Sequence, residues 1–113
     1  MIDYKRLAEC SDGNQLIAKE MLEEFANLLC DEMVKLERVV SAANWNEARY
    51  IVHAIRGASA TVGAEALWET ASRLEMYAKV EDGPAVEASL VELNRQASKF
   101  LSWFETPVRL AHA

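Results

Sequence analysis

His53 is the residue in this 113-residue chain whose surroundings suit it for nucleophilic chemistry. Arg49 lies four positions before it, Arg56 three after, Gly57 four after and Ala60 seven after, offsets that share one face of an α-helix. An imidazole has a reference pKa of about 6.5, so near pH 7 its neutral form offers a nitrogen lone pair. Guanidinium groups bind phosphoryl oxygens through paired N–H donors. Gly57 adds a patch without a side chain, over which the rim of a partner's active site can approach the ring. A mid-helix glycine costs about 1 kcal/mol relative to alanine, so a purpose beyond helix stability is expected for it. Together these residues suit capture of a phosphoryl group on His53. A histidine beside arginines is also the common appearance of a solvated helix face, and periodicity alone does not separate the two readings.

Other chemistries lack their residues. Di-iron bundles aim Glu-x-x-His pairs inward, and neither His53 nor His112 has a glutamate three positions before it. The motifs HExxH, GxxxxGKS/T, GxGxxG and GxSxG are absent, which removes the parts of metalloprotease, nucleotide-binding and serine-hydrolase sites. Two histidines are too few for a metal cage. Cys10 and Cys30 are far apart and outside any CxxC pair, so they are expected as reduced packing residues. Trp45, Trp68 and Trp103 are expected at the core or its edge rather than as a stacking platform. The formal net charge of −6 and pI near 4.9 disfavour nucleic acid and anionic membranes as partners. No apolar run approaches the roughly 20 residues of a membrane span, and the first five residues do not resemble a signal peptide. A cytoplasmic location is expected.

The elements that must position His53 follow from the breakers. The chain is short enough to be one domain over residues 1–113, since separate cores arise only above roughly 250 residues. Ser11 and Asp12 are candidate N-caps before Gly13 and a breaker-free stretch over 14–43. There Leu22, Phe25, Leu29, Leu36, Val40 and Ala43 form one apolar stripe. Asn44 caps a third helix, with Glu47 placed to complete a capping box. Its stripe of Ala48, Ile51, Ile55, Ala58 and Val62 runs to Gly63, and at about 100° per residue His53 points the opposite way. A fourth helix from about residue 64 buries Ala64, Leu67, Ala71, Leu74 and Ala78 and ends at Asp82-Gly83. Pro84 suits the first helical position of a fifth, which carries Val86, Leu90, Leu93, Ala97, Phe100 and Phe104 and stops before Pro107. Residues 108–113 are expected as a flexible tail. Four amphipathic helices with short connections can bury their stripes only against one another, so the expected fold is all-α: an antiparallel four-helix bundle. A short extra N-terminal helix over residues 3–9 is expected across one end.

The segment His53-Ala54-Ile55-Arg56-Gly57-Ala58-Ser59-Ala60-Thr61-Val62-Gly63-Ala64 closely resembles the signature of histidine-containing phosphotransfer (HPt) domains. That signature is a His, any residue, an aliphatic, Lys or Arg, Gly, two small residues and a later Gly. The long helix before it, the Asn-Trp turn and the two helices after it follow the family's order. The resemblance implies a phosphorelay intermediate of two-component signalling, a carrier without catalysis of its own. It would take a phosphoryl group from the aspartyl phosphate of one receiver domain and pass it to another. By the same resemblance, His53 is the phosphorylated histidine, attacking through Nε2. Arg56 is the basic residue that neutralises phosphoryl charge, and Gly57 opens the docking surface. From the helical offsets rather than the resemblance, Arg49 and Ala60 on the same strip and Lys79 one turn after position 75 are expected on the same partner-binding face. Glu75, 22 positions after the histidine, is at the place where many members hydrogen-bond the other ring nitrogen, although a plain exposed helix charge is the alternative. Ala58-Ser59 reverses the commoner Ser-Ala order, which leaves no hydroxyl at 58. The implied partners are receiver domains and an upstream hybrid histidine kinase, with Mg²⁺ on the receiver, no cofactor on this chain, and a monomeric state. A helical adaptor that uses the same face without phosphorylation is the rival reading.

Overall fold

The computed structural model describes residues 2–112, with side chains through residue 105. Its helices are α1 (Tyr4–Cys10), α2 (Gln15–Ser41), α3 (Trp45–Val62), α4 (Glu65–Lys79) and α5 (Gly83–His112). Among the described residues there is no strand. Nor is any described helix long and apolar enough to cross a membrane. Short turns make the last four helices an antiparallel bundle, with α3 between α2 and α4, and α4 between α3 and α5.

Helix starts are set by side chains that accept from otherwise unpaired backbone N–H groups, each worth about 1 kcal/mol. Asp3 serves α1, Asn44 serves α3 and an Asp82 carboxylate oxygen accepts from Ala85 in α5. For α2 the cap is Asn14, whose Oδ1 accepts from Leu16 and Ile17, rather than Ser11 or Asp12. Ser11 instead closes α1, and Asp12 and Gly13 both take left-handed φ angles of 55° and 72° to turn the chain. Asn44 accepts from Glu47 N, but the reciprocal half of the expected capping box is missing because Asn44 N–H donates to Val39 O at 2.9 Å. Gly83 precedes Pro84 within α5, so the proline is second rather than first. The expected stop before Pro107 is also corrected, since α5 continues to His112; proline withholds one donor but keeps a helical φ. The tail expected over 108–113 lies outside the residues whose side chains are described.

The predicted stripes form the core, with Leu29, Leu36, Ile55, Leu74, Leu93 and Phe100 sealed from solvent. Phe25 meets Phe100 edge-on at 5.0 Å between ring centroids, joining α2 to α5. Met33, Val52, Ser59 and Thr70 are buried as well, beyond those stripes. The last three lie on α3 and α4, the two helices that pack most extensively against each other. Two expectations fail by orientation. Ala43 is exposed in the α2–α3 turn with φ of 53°, and Cys10 and Cys30 are exposed free thiols rather than packing residues. Cys30 follows core residue Leu29, and one step of about 100° carries it off the buried stripe.

The N-terminal segment is tied to the end of α3. Asp3 N donates to Gly63 O at 2.7 Å, and Arg6 Nε donates to Ala60 O at 3.2 Å. Gly63 has φ of 76°, and a Cβ there would collide with the Asp3 carbonyl.

Candidate functional site

The middle turns of α3 point His53 away from the core, because Ile51, Val52 and Ile55 occupy the buried arc on either side of it. The His53 side chain is 63% exposed. From the neighbouring helix, Glu75 follows the buried Leu74 and is directed along the α3–α4 seam. Its Oε2 lies 2.9 Å from His53 Nδ1. A carboxylate has no hydrogen to donate, so the proton of this bond resides on Nδ1 and the lone pair of the neutral ring on Nε2. Of the two ring nitrogens, Nε2 is the one left without a polar partner among the contacts of this cluster.

Arg56 completes the cluster. Its Nη1 is 3.1 Å from Glu75 Oε1 and its Nη2 is 3.5 Å from His53 Nδ1. The first contact is an ion pair without a well-directed N–H, so the buried Oε1 accepts no hydrogen bond and is compensated by charge alone. Both contacts lie on the Nδ1 side of the ring.

Gly57 sits in the exposed strip beside His53, and a Cβ built there would meet nothing within 4 Å. Among the described residues no packing neighbour requires this glycine. Thr61 Oγ1 donates to the Gly57 carbonyl at 3.1 Å. Ser59, whose side chain is wholly buried, donates to Ile55 O at 2.6 Å, so the one hydroxyl of the Ala58-Ser59 pair faces the core.

The other expected residues are spread along the same face. Arg49 is exposed and lines a recess of about 520 Å³ with Asn46, Tyr50, His53 and Glu75. Ala60 is half-buried, its carbonyl taken by Arg6. Lys79 is exposed at the end of α4 and, among the described residues, makes no hydrogen bond or ion pair with His53 or Glu75. The antiparallel register that sets 53 against 75 sets 49 against 79, so Lys79 belongs beside Arg49, about one turn from the ring. Asn46 and Tyr50 were not among the expected site residues. They precede His53 by seven and three positions, so the same count of helical offsets would have found them; Tyr50 is 78% exposed.

The Hpt domain family model matches residues 20–103, a span that begins within α2, ends within α5 and contains His53, Arg56, Gly57 and Glu75. Comparison with curated proteins and with solved structures gives no match.

Proposed function

The chain belongs to the Hpt domain family, which serves histidine phosphotransfer in two-component phosphorelays, and from that premise we propose that His53 is its phosphoryl acceptor. The observation that carries the reading is the 2.9 Å contact of His53 Nδ1 with Glu75 on a ring that is otherwise open to solvent. With Nδ1 committed to Glu75, the neutral ring keeps its lone pair on Nε2, on the exposed helix face that also carries Gly57.

In the proposed step, the Nε2 lone pair attacks the phosphorus of a receiver's aspartyl phosphate. The N–P bond forms as the acyl-phosphate P–O bond breaks, and the receiver's aspartate leaves as a carboxylate. Nδ1 keeps its proton, so the phosphorylated ring is cationic and lies against the Glu75 carboxylate. Attack by the aspartate of a second receiver reverses the sequence and frees the ring. The Mg²⁺ and acidic pocket that this chemistry uses are assigned to the receiver, while this chain supplies a nucleophile held in line by a rigid helix. Arg49, Gly57, Ala60 and Lys79 are assigned to the docking face. An upstream hybrid histidine kinase is the proposed source of the phosphoryl group, and the proposed setting is cytoplasmic, as a monomer.

The test is phosphoryl transfer from labelled receivers to the parent protein and to His53→Gln. Label on the parent, stable in alkali, labile in acid and absent from His53→Gln, is expected. Label retained by the variant would remove His53 as the acceptor. Failure of every receiver to label a folded parent would favour an adaptor that binds without phosphorylation.

A further inference from the structure

We propose that Arg56 is a positioning residue, which holds the Glu75 carboxylate so that His53 keeps its proton on Nδ1 and its lone pair on Nε2 before any phosphoryl group arrives. The inference rests on His53 being the acceptor, and it gives Arg56 a first task different from neutralising phosphoryl oxygens. Both contacts of its guanidinium are on the wrong side of the ring for that task, 3.1 Å from Glu75 Oε1 and 3.5 Å from Nδ1. A guanidinium has donors and no acceptor, and the Nδ1 hydrogen is already directed at Glu75 Oε2. The attractive partner of Arg56 in this cluster is therefore the carboxylate and not the ring.

Glu75 needs such a partner. It crosses from α4 to α3 on a side chain with several rotatable bonds, and its Oε1 is buried without a hydrogen bond. A buried carboxylate oxygen left uncompensated is costly, so without Arg56 the group gains by rotating toward solvent, and that rotation takes Oε2 off the ring. The other cations of this face do not replace Arg56. Arg49 is on the same helix about two turns before Arg56, Lys79 is at the end of α4, and among the described residues neither makes a hydrogen bond or ion pair with Glu75.

The experiment reads the ring directly. Nitrogen-15 NMR of histidine-labelled, unphosphorylated protein distinguishes the Nδ1–H from the Nε2–H form of His53, without any phosphodonor. The parent should be dominated by Nδ1–H. Arg56→Gln should show a mixture that approaches that of Glu75→Ala, and Arg56→Lys, which retains a charge within reach of Oε1, should restore the parent pattern. Single-turnover transfer from a phosphorylated receiver gives the second readout. Arg56→Gln should be slower by about tenfold, the scale of one charge-assisted hydrogen bond, and should add little to the loss already caused by Glu75→Ala. A parent-like tautomer in Arg56→Gln would overturn the proposal, and so would rate losses that multiply in the double variant, because Arg56 would then act on the phosphoryl group itself. A folded parent that shows the Nδ1–H form but takes no label would fail the acceptor reading while leaving the positioning role of Arg56 intact.

Discussion

Gly57 and Gly63 stand six residues apart on and just beyond the same helix, and they are glycines for opposite reasons. At Gly63 the backbone is left-handed, and the Asp3 carbonyl fills the space where a side chain would begin. At Gly57 the conformation is helical and the space is empty. The first glycine is demanded by the fold, because α1 is attached through the Asp3–Gly63 hydrogen bond and cannot approach if a Cβ intervenes. The second has no folding requirement, and helix propensity alone argues against it. A glycine that packing does not require, on the same exposed face as His53, is what the proposed docking surface rests on.

Substitutions at the two positions can break this contrast. The largest effect on stability is expected for Gly63→Ala. A left-handed residue with a Cβ costs roughly 1–2 kcal/mol, and overpacking against Asp3 adds roughly 1–3 kcal/mol. Denaturant unfolding should show a loss of at least about 2 kcal/mol, and a loss near zero would mean that α1 adjusts freely. Gly57→Gln should have its effect elsewhere: unfolding midpoints close to the parent, but transfer from a receiver slowed sharply in single-turnover measurements. A large fall in stability for this variant would turn Gly57 into a packing residue. Gly57→Ala is the gentler case and should raise stability by up to about 1 kcal/mol, as read by thermal melting. The smallest effect is expected for Arg56→Ala. Its side chain is 38% exposed, and exposed ion pairs contribute about 0–1 kcal/mol after screening. Its melting temperature should therefore move little even though ring geometry and transfer rate change, and a loss well above 1 kcal/mol would make the Arg56–Glu75 pair a fold element first.

A second pair of charges sharpens the point. Arg95 bonds Glu92 through two contacts of 2.6 and 3.0 Å, tighter than the Arg56–Glu75 approach, and holds the Glu92 carboxyl below its usual range. These residues are three apart on one face of α5, Arg95 exposed and Glu92 half-buried, and Gln96 also donates to Glu92. The looser pair joins two helices and sets an imidazole. Tightness of an ion pair is thus a poor guide to its role, and what the pair orients is a better one.

Much of the architecture was legible in the sequence because helical offsets are a local property. Breakers at Gly13, Gly63 and Gly83-Pro84 divide the chain, apolar residues at steps of three and four identify each buried face, and the same count turns His53 outward. Locality also limits such reading. Ser11, Asp12 and Asn14 are all competent caps, and the left-handed turn at Asp12-Gly13 decides among them. Val52, Ser59 and Thr70 look peripheral to their own helices and are buried because α3 and α4 pack against each other more extensively than any other pair.

At the site the same division holds. The sequence by itself determined that a histidine, two arginines and a bare glycine share one face of one helix, since 3.6 residues per turn suffices to place them. It also placed Glu75 on the following helix, where a bond to the ring and an idle surface charge were equally open. Only the packing of α3 against α4 brought Oε2 to 2.9 Å from Nδ1 and drew Arg56 onto the other oxygen. That outcome depends on the register and separation of two helices, which are set by how buried side chains such as Ile55 and Leu74 fit together, and no spacing along a single helix encodes it.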